Sequence, residues 1–252
     1  MCTVVILRRP GQAWPLLLGA NRDEMSDRPW RPPGRHWPDR PEVVGGLDTL
    51  AGGSWLGLND HGVVAAALNR HGTLGPAEGR RSRGELVLEA LDHADAAAAA
   101  EALADLNPRA YRPFNLVVAD DRDAFLVHHR DDRLPVAVAP MPAGLSLVTA
   151  FDRDDPADPR IGRYRPLFER AVVPDPDGGD WRSWQELLAC RDAGDPADAR
   201  TAMCFSTPSG FATGSSALIA LPTRTAPDGR TPVWLFAAGP PDGAPWRPVD
   251  LG

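Results

Sequence analysis

Apolar and polar positions divide the chain into strand-like runs and helical patterns. The first two apolar runs, residues 3–7 and 16–20, are separated by a turn that contains Pro10 and Gly11. Short apolar runs joined by such a turn are typical of a β-hairpin. The sequence therefore predicts that the chain begins with two antiparallel strands.

The rest of the pattern predicts a second hairpin, two groups of helices and further strands. The polar, proline-rich residues 21–41 predict a loop. Ser82 and Glu85 fit a capping box that begins a helix. The other predicted helices are residues 94–106, 160–171 and 181–190. The other predicted strands are residues 53–58, 63–68, 114–119, 124–128, 136–139, 145–150, 202–206, 217–221 and 233–237.

This order of elements predicts the fold class. Strands, helices, strands, helices and strands follow one another, with hairpins dominating, which favours antiparallel sheets with helices on their outer faces. We expect an α+β fold, a four-layer αββα sandwich. Residues 1–252 show no internal repeat or clear linker, so one domain is expected.

Composition and charge exclude several function classes. The net charge of −7 argues against nucleic acid, because its binders present a basic face. All 27 basic residues are arginine, which excludes lysine Schiff-base and P-loop lysine chemistry. No basic region precedes an apolar stretch, and no apolar run is long enough to span a bilayer. A cytoplasmic protein without a transmembrane segment is therefore expected.

The three cysteines indicate one reactive candidate. Cys190 and Cys204 are expected to be buried and inert, in a helix and a strand respectively. No C-x-x-C spacing occurs, so we expect neither a disulfide framework nor a metal site. Cys2 follows the initiator Met1, and removal of Met1 would leave a thiol beside a free α-amino group. Such a pair is a nucleophile with its own general base.

The tetrapeptide Asn21-Arg22-Asp23-Glu24 directly follows the second predicted strand. If the hairpin closes near residues 10–12, this segment returns close to Cys2. An arginine there would favour the thiolate, and a carboxylate would orient the α-amine. The alternative is that these four polar residues form only a solvated turn.

Several ordered motifs together resemble the NRDE family, which is the family of the transport-and-Golgi-organisation protein. These motifs are the Cys2 start, Gly19-Ala20-Asn21-Arg22-Asp23-Glu24 with Arg28-Pro29, Gly52-Gly53-Ser54-Trp55-Leu56-Gly57, Ser82-Arg83-Gly84-Glu85-Leu86-Val87 and Pro113-Phe114-Asn115-Leu116-Val117. The resemblance covers residues 1–120 well and the remainder loosely. It implies an N-terminal-nucleophile hydrolase-like fold, in agreement with the pattern of elements.

The resemblance also implies catalytic roles. Cys2 would attack an amide or ester carbonyl while its α-amine shuttles the proton. Arg22 and Asp23 would hold this pair. Asn69, at the end of a predicted strand, would bind the oxyanion, a contribution of typically about 3–4 kcal/mol to the barrier. Asn69 equally fits a plain turn residue.

Four residues are expected to contact the substrate: Asn21, Glu24, Trp55 and Arg83. Arg83 stands at a predicted helix N-terminus, which favours anions, although the same segment also fits a simple helix cap. Trp55 also fits a core residue.

Two departures from the family pattern leave a second function open. Leu147 follows Gly-Leu-Ser where the family often has asparagine, and Gly214 stands where the family often has arginine. The alternative is a non-catalytic protein that binds or traffics an amphiphilic ligand, with haem or a lipid as candidates. The hydrolase hypothesis requires no cofactor, and the expected substrate is a small-molecule amide or ester.

Overall fold

The computed structural model describes residues 2–224 and 229–252, which contain two antiparallel sheets. The strands in chain order are β1 Thr3–Arg8, β2 Leu16–Met25, β3 Trp30–Gly34, β4 Val43–Asp48, β5 Leu56–Asn59, β6 Val64–Asn69, β7 Phe114–Ala119, β8 Ala124–His129, β9 Ala137–Pro140, β10 Gly144–Val148, β11 Phe211–Leu221, β12 Val233–Ala237 and β13 Trp246–Pro248. The α-helices are α1 Gly84–Leu91, α2 Ala96–Ala104, α3 Pro159–Arg170 and α4 Arg182–Leu188. Short 3-10 helices cover Pro108–Ala110 and Ala199–Thr201.

The chain divides into two compact units with one sheet each. The first unit comprises Met1–Arg28 and Ala143–Val249, and the second comprises Pro29–Pro142 and Asp250–Gly252. The first sheet has the strand order β10-β1-β2-β11-β12-β13 and the second has the order β3-β4-β5-β6-β7-β8-β9. Each unit thus supplies one antiparallel sheet and one pair of α-helices, in agreement with the predicted α+β class.

In the first unit, α3 and α4 pack on one face of the sheet. Side chains of alternate strand residues point to this face, including Val5 and Leu218, and they form a core with Trp184 of α4. Gly19 lies under that indole, and a Cβ there would be 3.2 Å from its Cε3 atom. The absence of a side chain at Gly19 therefore allows α4 to pack closely on β2.

In the second unit, α1 and α2 pack on one face of the other sheet. Apolar residues of both helices form a buried core with Phe114, Leu116 and Val118 of β7. Asn59 joins the end of α1 to the sheet, because its amide donates to the carbonyl oxygens of Leu91 and His93 at 2.8 Å each.

Two of the glycine motifs meet in the second unit. The Ser54 N–H donates to the carbonyl oxygen of Gly84 at 3.0 Å, at the start of α1. A Cβ on Gly53 would overlap the backbone of Gly84. Glycine at both positions therefore permits a close approach of the two backbones. A Cβ on Gly53 would meet backbone atoms, which cannot move aside as a flexible side chain can.

We predict that Gly53→Ala lowers the free energy of unfolding by about 1–3 kcal/mol, because either the loop or α1 must shift. Chemical denaturation measures the change. Gly243→Ala is the control, since a Cβ at that position meets nothing within 4 Å. Equal stability of the two variants would contradict the close-approach explanation.

The structure corrects the predicted loop over residues 21–41. β2 continues through the polar tetrapeptide to Met25, and β3 covers Trp30–Gly34. β3 contains Pro32 and Pro33 and lies at the edge of its sheet, where missing N–H donors are tolerated. The prolines therefore indicated an edge strand here rather than a loop.

Two further predictions about elements are corrected, and two further strands are added. Residues 202–206 form no strand beyond an isolated bridge between Ser206 and Ala212. The capping box is wrong, because Arg83 occupies the N-cap of α1 without a side-chain cap, and Ser82 Oγ accepts from the Gly84 N–H at 3.2 Å. β4 and β13 were not predicted.

Within residues 2–224 and 229–252, no helix combines the length and the apolar character needed to cross a bilayer.

Candidate functional site

Cys2 lies immediately before β1, and the hairpin register brings the polar tetrapeptide beside it. Thr3 pairs with Asn21 in the β1–β2 ladder. The Cys2 thiol donates a hydrogen bond to the backbone carbonyl oxygen of Asp23, with an Sγ–O distance of 3.6 Å. The prediction that residues 21–23 return close to Cys2 is therefore confirmed, and these residues belong to a strand rather than a solvated turn.

Strand alternation separates the site residues onto two faces of the first sheet. Thr3, Asn21 and Asp23 point to the face that α3 and α4 cover, because their side chains bond groups on that side. Arg22 lies between Asn21 and Asp23 in β2, and Cys2 directly precedes Thr3. Because successive side chains of a strand alternate between faces, these two side chains point to the opposite face. The thiol and the Arg22 guanidinium thus share one face, and the Asp23 carboxylate lies on the other.

The Asp23 carboxylate is held by two buried partners. Arg160 Nη1, on α3, lies 2.9 Å from Asp23 Oδ2, and neither side chain has any exposed area. The same nitrogen donates to Thr3 Oγ1 at 2.7 Å, and Nη2 donates to the carbonyl oxygen of Arg200 at 2.7 Å. Thr213 Oγ1 donates to Asp23 Oδ1 at 2.8 Å. This network connects α3 to β1, β2 and β11 next to Cys2.

Arg160 was missed by sequence reasoning. The sequence predicts only that Arg160 begins a helix over residues 160–171, and its ion-pair partner is 137 residues away. Its position at the start of α3, directly after Asp158-Pro159, was the only available signal.

Opposing charges act on the Cys2 thiol. Burial raises the pKa of Cys2 above its ordinary value, and the negative charge of Asp23 acts in the same direction. The N-terminal amino group, the hydrogen bond to the Asp23 carbonyl and the Arg22 guanidinium lower the same pKa to a smaller extent. Arg22 thus lowers the pKa of Cys2, as predicted, but burial raises that pKa by more.

A β-bulge in β11 shapes the site beside β2. Thr213 pairs with Asp23 and Ser215 pairs with Arg22, so Gly214 is the extra residue. Without the bulge, Thr213 and Ser215 would point to the same face. With it, Thr213 bonds Asp23 on the helix-covered face and Ser215 points to the face that carries Cys2. Gly214, one of the two departures expected from the sequence, is thus the bulged residue.

The other departure, Leu147, is fully buried in the core beneath α3 and α4. Its N–H donates to Asp154 Oδ1 at 2.8 Å. Leu147 is therefore a packing residue of β10.

Asn21 and Glu24 are both held by groups of their own unit. Asn21 Nδ2 donates to the carbonyl oxygens of Leu188 and Met203 at 2.9 Å each, and its Oδ1 accepts from Ser216 Oγ at 2.6 Å. Glu24 Oε1 accepts from the Met25 N–H at 2.9 Å. These contacts join β2 to its surroundings, and substrate contact by the two residues stays a prediction.

The other three predicted site residues belong to the second unit. Asn69 pairs with Phe114, whose side chain lies in the core under α1 and α2. Trp55 stacks edge-to-face on Trp30 with a ring separation of 5.6 Å. Arg83 Nη1 donates to the carbonyl oxygens of Thr73 and Pro113. Their roles in oxyanion and substrate binding stay predictions.

Of the remaining cysteines, only Cys204 is buried as predicted. Cys190 is partly exposed and follows the end of α4 at Leu188, so the prediction of a buried Cys190 within the helix is wrong. Cys204 is fully buried, and its thiol donates to Asp242 Oδ1 at 3.4 Å. Burial raises the pKa of Cys204 to about 12. No metal-binding cluster of three or more His, Cys, Asp or Glu side chains occurs in residues 2–224 and 229–252.

Comparison with solved structures defines the fold class as that of the N-terminal-nucleophile hydrolases. An N-acylethanolamine-hydrolyzing acid amidase ortholog from Caenorhabditis elegans matches with a TM-score of 0.57 at 15% identity, covering 90% of this chain and 96% of that one. The R18L variant of conjugated bile acid hydrolase from Clostridium perfringens matches with a TM-score of 0.55 at 12% identity, covering 98% and 96%. At such identities the likeness shows the fold alone.

The chain belongs to the Transport and Golgi organisation 2 family, whose model matches residues 1–166. The Transport and Golgi organization protein 2 homolog of Bos taurus is 35% identical over 144 residues, covering 53% of this chain and 51% of the relative. The Homo sapiens homolog is 32% identical over 144 residues, with the same coverage. The chain thus spans about half the length of the curated relatives it matches, and the family resemblance of the sequence is confirmed.

Proposed function

We propose that this chain is a cysteine N-terminal-nucleophile hydrolase that acts on a small amide or ester, with Cys2 as nucleophile after removal of Met1. The observation that carries the proposal is the position of the Cys2 thiol, next to β1, bonded to the Asp23 carbonyl oxygen and on the same face as Arg22. The fold class and the family are consistent with it.

The proposed reaction needs only groups at this end of the sheet. The α-amine of Cys2 takes the thiol proton, and the thiolate forms a bond to the substrate carbonyl carbon. The C–N or C–O bond then breaks, and the leaving group departs with the proton from the α-ammonium. Water hydrolyses the resulting thioester and restores the thiol. No cofactor takes part.

The contact network supports the proposal by fixing the strand ends. Arg160 bonds both Thr3, which follows the nucleophile, and Asp23, whose carbonyl oxygen accepts from the thiol. All of these groups except the thiol are fully or nearly fully buried. A nucleophile held by buried, bonded neighbours keeps its geometry through the reaction, which is the condition for efficient attack.

Selective alkylation tests the proposal. We expect the purified protein to lack Met1 and to be labelled by iodoacetamide at Cys2 at least about tenfold faster than at Cys190 or Cys204, because the free α-amine left by removal of Met1 takes up the Cys2 thiol proton, whereas Cys190 and Cys204 have no free α-amine of their own. Intact mass before and after a short reaction, followed by peptide mapping, measures both features. A screen of amides and esters then identifies the substrate.

Retention of Met1, or labelling of Cys2 no faster than of the other two thiols, would contradict the mechanism. Denatured protein is the control for intrinsic accessibility, since all three thiols should then react at similar rates. In the contradicting case the haem or lipid alternative becomes the leading proposal, and a Soret-band titration tests haem directly.

A further inference from the structure

The pattern Asp-Pro-Ala-Asp-x-Arg occurs twice in the chain, at residues 155–160 and 195–200. Both copies fold in the same way. In each, the first aspartate accepts from the N–H two residues later and the second accepts from the N–H of the arginine, at 2.8–3.0 Å. α3 follows the first copy and a 3-10 helix follows the second. Because backbone N–H groups form these turns, neither turn requires a buried arginine side chain.

The arginine side chains of the two copies have opposite surroundings. The Arg200 side chain is 58% exposed and pairs with Asp198 of its own turn at 2.8 Å. The Arg160 side chain has no exposed area and pairs with Asp23, 137 residues away. Removing two charges from water costs free energy, and apolar residues of similar size are often as stabilising as a buried ion pair. The stability of the fold alone therefore does not explain a charged pair at this position.

The buried pair contacts both residues that border the nucleophile. Arg160 Nη1 donates to Asp23 Oδ2 at 2.9 Å and to Thr3 Oγ1 at 2.7 Å. Thr3 follows Cys2 in the chain, and the Asp23 carbonyl oxygen accepts from the Cys2 thiol. The guanidinium also lies over the Phe205 ring, 5.4 Å from its centroid. One guanidinium thus fixes the strand positions on either side of the thiol, from the face that the helices cover.

The Asp23 carboxylate also acts on the thiol through its charge. Burial raises the pKa of Cys2 most, and the charge of Asp23 adds to this increase. The N-terminal amino group and the Arg22 guanidinium act in the opposite direction. A change in the net charge at Asp23 should therefore change the pH at which the thiol ionises.

The elements packed around this point contribute few other charges. β10, which pairs with β1, contains no charged residue in Gly144–Val148. Thr213 and Ser215 of β11, which lie opposite β2 here, are uncharged. α3 contributes Arg160 and its N-cap Asp158, whose Oδ1 accepts from the Arg160 N–H at 2.8 Å. The cation that α3 brings to Asp23 is thus the Arg160 guanidinium.

We propose that Arg160 is a positioning residue for the Cys2 nucleophile, which holds Thr3 and Asp23 in place and offsets the Asp23 charge that disfavours a thiolate. A cation beside a carboxylate weakens the field that the carboxylate exerts on a third group. Arg160 acts through Asp23 from the opposite face of the sheet and takes no part in bond making. The inference rests on the proposed function and deepens it by assigning the group that allows a buried thiol to ionise.

The pH profile of Cys2 alkylation tests the inference without knowledge of the substrate. Peptide mapping gives the rate of iodoacetamide labelling at Cys2, whose midpoint reports ionisation and whose plateau at high pH reports access. Arg160→Gln keeps an N–H donor but removes the charge, and it should raise the midpoint by about 0.5–1.5 pH units. Asp23→Asn should lower the midpoint by a similar amount. Arg160→Lys keeps the charge and should stay within about 0.3 pH units of the parent.

Arg200→Gln is the matched control, because Arg200 occupies the same position of the same turn with an exposed side chain. Its carbonyl oxygen, which accepts from Arg160, is kept. Midpoint and plateau should both stay unchanged. A purely structural role of Arg160 predicts the opposite sign for Arg160→Gln, because a loosened site would expose the thiol, lower its midpoint and raise its plateau.

The outcomes separate this inference from the proposed function. Rapid labelling of Cys2 in the parent, with an unchanged or lower midpoint in Arg160→Gln, would keep the nucleophile and overturn the role of Arg160. If Arg160→Gln does not fold, an unchanged midpoint in Asp23→Asn would overturn the inference, since no charge would then be available for Arg160 to offset. A parent protein that retains Met1, or whose Cys2 is not labelled at any pH, would overturn the proposed function and this inference together.

Discussion

Arg160→Met is expected to lower the free energy of unfolding by about 3–5 kcal/mol, because it leaves the Asp23 carboxylate buried without its cation. Both side chains are fully buried, and the guanidinium also bonds Thr3 Oγ1 and the Arg200 carbonyl oxygen. Chemical denaturation followed by circular dichroism measures the change. If the protein proves too unstable to purify, the double variant Arg160→Met/Asp23→Asn removes both charges and should recover part of the loss.

An exposed ion pair is the control for this prediction. Arg182 lies 2.9 Å from Asp180, and the two side chains are 81% and 47% exposed. Arg182→Met should leave the free energy of unfolding nearly unchanged, because solvent already screens the pair. An Arg160→Met protein as stable as Arg182→Met would show that the buried network does not hold the strand ends.

Cys2→Ala and Cys2→Ser are each expected to reduce turnover of the substrate by about a thousandfold or more, because the mechanism has no other nucleophile. Neither change should alter the free energy of unfolding by more than about 1 kcal/mol, since the thiol makes one long hydrogen bond to the Asp23 carbonyl oxygen. Steady-state kinetics on the amide or ester found by screening measures the loss.

Cys190→Ala is the matched control, because it removes a thiol outside the proposed site while Cys2 is kept. It should retain full turnover. Substantial turnover in Cys2→Ala, with the fold intact, would remove Cys2 as the nucleophile and with it the proposed mechanism.

Local patterns in the sequence predicted the part of the site that depends on neighbouring residues. The turn at Pro10 and Gly11 predicted the hairpin, and the hairpin places Asn21 opposite Thr3. The same pattern could not show that β2 continues through the polar tetrapeptide. Polar residues in a strand are stable only when a partner satisfies them, and these partners lie far away in the chain.

The edge strand and the helix start were missed for related reasons. Prolines in β3 suggested a loop because the sequence does not reveal which strand is at an edge. The Ser82–Glu85 pattern suggested a capping box, but the close contact of Gly53 with Gly84 begins the helix at Gly84. Tertiary contacts overrode the local preference in both places.

The sequence by itself determined the α+β class, the family and the position of Cys2 next to the polar tetrapeptide, because periodicity and short turns are local properties. Only the tertiary structure decided which faces the functional groups occupy. It paired Arg160 with Asp23 across 137 residues, and it used a bulge at Gly214 to turn Thr213 and Ser215 to opposite faces. These features depend on which strands pair with each other and on where a strand contains a β-bulge. Both are determined by the burial and hydrogen bonding of the whole unit.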